Sequence, residues 1–422
     1  MSRHAAVQRP RPARHSRRLR THGALRGVAL VVAAVLVFGA SGVAAVAAKL
    51  NGNMDKVDVS ALVNPMPSQN TEPDPDDPNA GQAVNLLILG SDQRDGENAE
   101  IGGDDEGMRS DTTMVLHISA DRSRVELVSI PRDSLVEIPS CTMTNGKTTK
   151  ATRAMFNSAF ASGWDNGGDM ESAAACTINT VQHNTGLTIN HFVVVDFAGF
   201  QQMVDAIGGV PMCIPTPMFS PDAGLALSPG FQTLNGTTAL AYARARKGQG
   251  VGDGSDTNRI GNQQKLMAAM VREVLSRDVL TNPQKLISFL SAATSSLTTD
   301  TAMSIPNMTG LAYNLRDIDS GNITFMTIPF APAKSDRNRV EWTAEADVVW
   351  SNMVNDLPAL GEAPAAPTPD APVEPPVTQA PVETTAPSAP AATQPPPEVP
   401  TPVETKEAGK EAFSVDDTTD VC

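Results

Sequence analysis

The chain reads as an α/β protein, a three-layer α/β/α sandwich with a central mixed sheet, preceded by one transmembrane helix. Two observations predict this. Between about residues 82 and 358, short apolar runs of strand character alternate with longer stretches of helical period, a pattern that folds as helices laid on the faces of a sheet. Ahead of them, residues 27–48 carry no charge; at 1.5 Å rise they reach about 33 Å, against a hydrocarbon core of about 30 Å.

The first 26 residues hold eight arginines and no acidic residue. A basic flank stays on the cytoplasmic side, so residues 1–26 are expected to form a cytoplasmic arm, with everything after Lys49 outside the cell membrane. The competing reading is a cleaved signal peptide, because Val46-Ala47-Ala48 resembles a small-residue cleavage site. The apolar stretch exceeds the roughly 7–15 residues of a signal core, which favours a retained single-pass anchor. Residues 49–81, Pro-rich between Asn64 and Ala80, read as an extracytoplasmic linker.

The domain then spans 82–358. Ala83 to Gly90 is a nearly continuous apolar run closed by glycine, the mark of a buried strand. Thr113 to Ser119 and Arg124 to Ile130 read as paired strands around the polar turn Ala120-Asp121-Arg122-Ser123, and Phe192 to Phe197 and Ile323 to Phe330 add two more. Helical period is found at 154–161, 170–185, 199–207, 235–243, 259–275, 283–293 and 306–315, with Gly208-Gly209 and Pro211 as a stop signal. Residues 359–422 are rich in Pro, Ala, Thr, Val and Glu with one aromatic, Phe413, and read as a disordered, acidic Pro-rich tail.

The formal net charge is −15, and setting aside the +8 arm leaves −23 for the rest. That balance excludes nucleic acid as a general partner, since such binding leans on clustered excess Lys and Arg. Arginines with a function must be focused in a cleft.

Arginine and aspartate recur together in three places. These are Gly90-Ser91-Asp92-Gln93-Arg94; Arg109-Ser110-Asp111-Thr112 with Pro131-Arg132-Asp133; and Tyr242-Ala243-Arg244-Ala245-Arg246 with Asp256, Arg259 and Gln263. Guanidinium groups are permanently charged forks that bind phosphate oxygens in pairs, whereas carboxylates near anions make sense chiefly with a hard cation between them. The set suits a pyrophosphate bridged by Mg²⁺. Any single Arg-Asp pair is more simply a solvated ion pair of little energetic worth; the order and spacing of all three argue for a site.

Asp92 and Asp111, each at a strand edge, are the candidate metal ligands, and two suffice because Mg²⁺ fills its octahedron with water and phosphate oxygens. Arg132, held by the strand and proline before it, and Arg244 and Arg246 are candidate pyrophosphate ligands, with Arg94 and Arg109 completing the lining. Arg244 and Arg246 share a face only if the preceding helix ends near Tyr242. Arg259 and Gln263, four apart on a helix, can look into one cleft. Asp256, three residues ahead of that helix's expected start, is a candidate cap.

Taken together these motifs resemble the LytR-CpsA-Psr family over roughly residues 84–330. The resemblance is carried by Asn85-Leu86-Leu87-Ile88-Leu89-Gly90-Ser91-Asp92, Arg109-Ser110-Asp111-Thr112-Thr113-Met114, Ser129-Ile130-Pro131-Arg132-Asp133-Ser134, Phe156-Asn157-Ser158-Ala159-Phe160, Val194-Val195-Asp196-Phe197, Gly208-Gly209-Val210 and Leu240-Ala241-Tyr242-Ala243-Arg244-Ala245-Arg246. It implies a membrane-anchored, extracytoplasmic phosphotransferase that moves a glycopolymer from a polyprenyl-pyrophosphate carrier to a peptidoglycan hydroxyl with Mg²⁺. It also places Asp256, Arg259 and Gln263 at the active site. Asp92 is then the first candidate for general base and Asp256 the second. The implied carrier lipid needs an apolar channel, for which Phe197, Phe200, Met203, Val204 and Ile207 with Leu286, Phe289, Leu290 and Leu311 are candidates; at helical spacing such residues are core by default.

No motif names the glycan; arabinogalactan, teichoic acid and capsular polysaccharide all remain open. A lipid-pyrophosphate hydrolase, and a non-catalytic envelope receptor for lipid-linked glycan, are the rival functions. Four cysteines in an oxidising compartment favour bridging: Cys141 and Cys176, flanking one helical region, are the expected pair, Cys213 reads as buried and free, and Cys422 as the odd one.

Overall fold

A computed structural model describes residues 48–66, 81–92, 98, 101, 108–276, 282–315, 318–361 and 405–422. The arm, residues 27–47 of the expected span, Arg94 and residues 362–404 lie outside the described residues. Among the described residues no helix is long and apolar enough to cross a membrane.

Strands β1 (Asp55–Val57), β2 (Val84–Ser91), β3 (Ser110–Ile118), β4 (Val125–Ile130), β5 (Leu135–Ile138) and β6 (Thr152–Met155) precede helices α1 (Ser158–Gly167) and α2 (Met170–Thr185). Next come β7 (His191–Val195), α3 (Phe197–Ile207), the short strands β8 (Val210–Ile214), β9 (Met218–Ser220), β10 (Leu225–Leu227) and β11 (Gly230–Leu234), and α4 (Gly236–Arg244). After the small ladder of β12 (Lys247–Gly248) and β13 (Gly252–Asp253) follow α5 (Asp256–Val274), α6 (Pro283–Ser295), β14 (Leu297–Asp300) and α7 (Ile305–Asn314). The remaining elements are β15 (Ile323–Thr327), β16 (Phe330–Pro332), β17 (Val340–Trp342), α8 (Ala344–Val354) and β18 (Phe413–Ser414).

Eight strands make one mixed sheet in the order β1-β14-β7-β2-β3-β4-β15-β18. β2 runs parallel to β7 and antiparallel to β3, while β4 runs antiparallel to β3 and parallel to β15. Because successive strand residues point to opposite faces, the strands serve two cores. Leu87, Leu89, Val115, Val128 and Ile130 pack with residues of α1, α2 and α8 on one face. Val84, Met114, Ile118, Val125, Leu127 and Phe325 pack with Ala268 of α5 on the other. Strands β8 to β11 with α3, α4 and the adjoining face of α5 enclose a third core around Val204, Ile207, Ile214, Leu234 and Leu266.

Three sequence expectations change. The helix expected at 154–161 is divided: Thr152–Met155 pairs with β5 as a strand, and the helix begins at Ser158. A short apolar run has no period of its own to decide between the two, so pairing decides. The linker is also shorter than 49–81, because Asp55–Val57 pairs parallel with β14 and Val59 is buried in the core. A three-residue edge strand is too brief to show alternation.

The third change concerns the tail. Residues 405–422 return to the domain, where β18 pairs antiparallel with β15 and Phe413 stacks on Phe325 at 5.4 Å between ring centroids. Cys213, expected to be free, is bonded to Cys422, and Cys141 is bonded to Cys176. The bulk composition of 359–422 hid these 18 residues, whose order comes from one edge of the sheet and a disulfide partner 209 residues away.

Candidate active site

The site grows from a break in the β2–β3 ladder. Gly90 faces Thr112, but Ser91 faces Ser110, so Asp111 is an extra residue on β3. A bulge of this kind re-aims a side chain at a strand end. Immediately beyond, the Asp92 N–H donates to the Arg109 carbonyl at 3.0 Å, and Asp92 Oδ1 accepts from the Arg109 N–H at 2.5 Å.

β4 ends at Ile130, and the turn after it is closed by Ser134 N–H donating to the Pro131 carbonyl at 3.0 Å. This fixes Arg132, whose Nη1 donates to Asp111 Oδ1 at 2.7 Å while its Nε lies 3.7 Å from Asp256 Oδ1. Asp256 comes from the start of α5. That helix begins three residues earlier than expected, with Ser255 as its cap residue, so Asp256 is its first residue and points inward.

One turn later Arg259 sits with its Nη2 2.5 Å from Asp256 Oδ1 and donating to the Asp111 carbonyl at 2.9 Å; its Nη1 is 3.8 Å from Asp111 Oδ2. Gln263 Nε2 donates to the Ala243 carbonyl at 3.2 Å, tying α5 to the end of α4.

α4 runs to Arg244, one residue past the expected end at Ala243 and two past Tyr242, and Ala245 is extended. The two arginines consequently part. Arg244 lies over the Phe197 ring, 4.5 Å from its centroid, and donates to the Ile101 carbonyl at 3.1 Å. The charge of Arg246 bears on Asp111, Asp256 and Arg259.

Burial and charge compete throughout the cluster. Burial alone would raise the Asp111 carboxyl, but Arg132 and Arg259 outweigh it and hold the group below the usual carboxylate range. Burial pushes Asp256 up against the pull of Arg259 and Arg132. It likewise draws Arg259 down against Asp256, whereas at Arg132 the Asp111 carboxylate overcomes burial and raises the guanidinium.

Several buried hydrogen-bonding groups at the site lack partners. The Nε groups of Arg132, Arg246 and Arg259 and both carboxylate oxygens of Asp256 are buried without a hydrogen-bond partner. Arg259 and Asp256 meet as an ion pair. Buried groups of this kind call for a partner.

Asp111, Arg132, Arg246, Asp256 and Arg259 are thus gathered, with Asp92 and Gln263 on the border. Arg109 is exposed and joins Asp92 through its backbone. Sequence reasoning gave no role to Asp133, which lies 3.9 Å from Arg132 Nε and 3.8 Å from Arg339 Nη1; its place directly after Arg132 was the available signal. It also passed over Asn98, buried and donating to Asp196 Oδ2 at 2.8 Å, for which the sequence held no signal. Of the channel candidates, Val204 and Ile207 are core residues and Leu311 packs in a different cluster. Phe200 and Phe289 are partly buried against the α3–α5 core. The side chain of Leu286 lies outside the described residues.

Among the described residues no group of three or more His, Cys, Asp and Glu forms a metal cage. Mg²⁺ does not need one: it usually takes one or two carboxylates and completes its shell with water and substrate phosphate. Asp92 and the part-exposed Asp111, beside arginines whose Nε groups lack acceptors, fit that donor set.

The profile of the LytR_cpsA_psr family matches residues 43–353. The chain is 33% identical over 307 residues to "Cell wall biosynthesis protein LcpA" of Corynebacterium glutamicum, covering 68% of this chain and 58% of that protein. It is 31% identical over 238 residues to "Polyisoprenyl-teichoic acid--peptidoglycan teichoic acid transferase TagU" of Enterococcus faecalis, covering 56% of this chain and 67% of the relative. The chain therefore spans little more than half the length of the corynebacterial protein. A solved structure, the "LytR-Csp2A-Psr enzyme from Actinomyces oris", shares the fold with a TM-score of 0.52 at 21% identity, over 71% of this chain and 96% of that one.

Proposed function

The chain belongs to the LytR-CpsA-Psr family, and on that premise we propose that it is an extracytoplasmic phosphotransferase, anchored in the cell membrane through residues 27–48. It takes a glycopolymer from a polyprenyl-pyrophosphate carrier and joins it to a peptidoglycan hydroxyl as a phosphodiester. The observation that carries this reading is the set of unpartnered Nε groups on Arg132, Arg246 and Arg259 around Asp111 and Asp256. Three buried cationic donors without acceptors suit an anion with several oxygens, and pyrophosphate has them.

In the step proposed, the acceptor oxygen attacks the glycan-side phosphorus, the bond from that phosphorus to the bridging oxygen breaks, and polyprenyl monophosphate leaves. Arg132, Arg246 and Arg259 offset the charge that grows on the transferring group and on the leaving phosphate. The hydroxyl proton passes to a carboxylate. Asp256 suits this role better than Asp92, because burial raises its proton affinity and neither of its oxygens is hydrogen-bonded. Mg²⁺, held by Asp92 and Asp111, would neutralise phosphate charge. Half-buried apolar residues of α3 and α6, Phe200 and Phe289 among them, are candidates for the carrier lipid.

The test is an acceptor competition. The full chain, Mg²⁺ and a short-chain polyprenyl-pyrophosphoryl glycan are incubated with and without a peptidoglycan oligomer. A phosphodiester-linked product that depends on the oligomer is expected. Equal turnover with water alone would indicate a hydrolase, and tight binding without turnover a receptor; either outcome overturns the proposal.

A further inference from the structure

α5 carries Asp256, Arg259 and Gln263 on one side, and its opposite side is clasped by the returning segment 405–422. The contacts recur at helical spacing. At Gly261 a Cβ would stand 2.4 Å from the Ala408 carbonyl oxygen, and at Gly409, with φ +89°, a Cβ would stand 2.6 Å from the Thr257 carbonyl oxygen. Only two glycines permit so close an approach of backbone to helix. Further along, Lys265 Nζ meets Asp420 Oδ1 at 2.8 Å and Arg272 Nη1 donates to the Val415 carbonyl at 2.9 Å.

Gln264 joins these parts. It is fully buried, and its Nε2 donates to Ser129 Oγ at 3.0 Å and to Thr327 Oγ1 at 3.1 Å, while its Oε1 accepts from the Gly409 N–H at 2.9 Å. Ser129 lies three residues before Arg132 at the end of β4, and Gln264 directly follows Gln263. One amide therefore links the helix of Arg259, the strand that delivers Arg132, the neighbouring strand β15 and the returning segment.

We propose that Gln264 is a positioning residue of the transfer site, and that residues 405–422 act through it and through the Gly261–Gly409 contact to set α5 against β4. This deepens the transfer reading above and rests on it. The segment meets α5 on the side away from Asp256, Arg259 and Gln263, so its effect passes through the helix. Displacement of reacting groups by about 1 Å can cost about 10²-fold in rate, which gives such a device its leverage.

The test uses the full chain in detergent, with Gln264→Leu and, as a variant that leaves Gln264 intact, Gly409→Ala. Three readouts are taken on protein in which both disulfides remain formed: amide hydrogen exchange over residues 256–263, affinity for inorganic pyrophosphate with Mg²⁺, and kcat and KM for transfer. Both variants should speed exchange in the first turns of α5, weaken pyrophosphate binding several-fold, and lower kcat by about 10²-fold. Unchanged exchange and unchanged pyrophosphate binding in both would overturn the proposal, whatever the activity. A wild-type chain that makes no phosphodiester would instead sink the transfer reading, and the exchange readout would still decide the role of Gln264.

Discussion

Arg132 Nη1 and Asp111 Oδ1 meet at 2.7 Å across two adjacent strands of the central sheet, one residue delivered by a proline turn and the other by a β-bulge. The pair joins the two parts of the second Arg-Asp motif in the sequence, and Arg259 brings in the third motif through the Asp111 carbonyl.

Removing the aspartate should separate chemistry from folding. Asp111→Ala is expected to lower transfer by roughly 10²–10³-fold, the range seen when one electrostatic stabiliser is lost. The domain should stay folded, because Asp111 is part-exposed at a strand end. Asp92→Ala should behave alike if both hold Mg²⁺; full activity of wild-type protein in chelator would refute the metal assignment.

Arg132→Ala and Arg246→Ala should each weaken inorganic pyrophosphate binding by roughly 1.5–3 kcal/mol, the worth of a charge-assisted hydrogen bond. Lysine should rescue poorly, since a point charge cannot reproduce the planar fork. Arg244→Ala should cost less than either, because Arg244 is engaged with Phe197 and Ile101. Calorimetric titration ranks the three; a ranking led by Arg244 would contradict the geometry.

The returning segment should matter to stability. Phe413→Ala, at a side chain buried against Phe325, is expected to cost roughly 3–5 kcal/mol. Removing residues 405–422 should lower the thermal midpoint further, because it also opens the Cys213–Cys422 loop, whose closure is worth up to about 5 kcal/mol in the chain-entropy estimate. An unchanged midpoint would show that the segment does not dock.

His117 should make stability depend on pH. It is fully buried on β3, with Nδ1 2.7 Å from Asn85 Oδ1 and Nε2 3.1 Å from Asp356 Oδ1. Burial depresses its pKa despite the nearby Asp356 and Glu126, aided slightly by Arg124. A histidine whose folded pKa lies below its unfolded value of about 6.5 contributes stability at higher pH and loses it as pH falls through the folded value. The thermal midpoint should therefore drop as pH is lowered from about 7 toward 5, and His117→Gln should flatten that slope. The same slope in the variant would assign the effect elsewhere.

Much of the fold was legible because it is written in local period. The helix at 170–185 matches α2, and the run at 83–90 is β2 shifted by one residue. Elements settled by distant partners were not legible: β1 needs β14, β18 needs β15, and Cys213 needs Cys422. In the site, motif spacing singled out residues that do gather, but not their directions. Arg244 and Arg246 look equivalent in sequence, and they part because α4 ends between them. Asp133 was given no role of its own and Gln264 went unremarked, because their roles exist only in contacts between elements.

The most direct test of the central claim follows one atom. A lipid-pyrophosphoryl glycan is labelled with ³²P at the phosphorus nearest the sugar and incubated with the full chain, Mg²⁺ and a peptidoglycan oligomer. The label is expected in the oligomer, released from it only with phosphodiester cleavage, together with one unlabelled polyprenyl monophosphate per transfer. Label that stays with the lipid, or appears as free glycan phosphate while the oligomer remains unlabelled, would contradict the account.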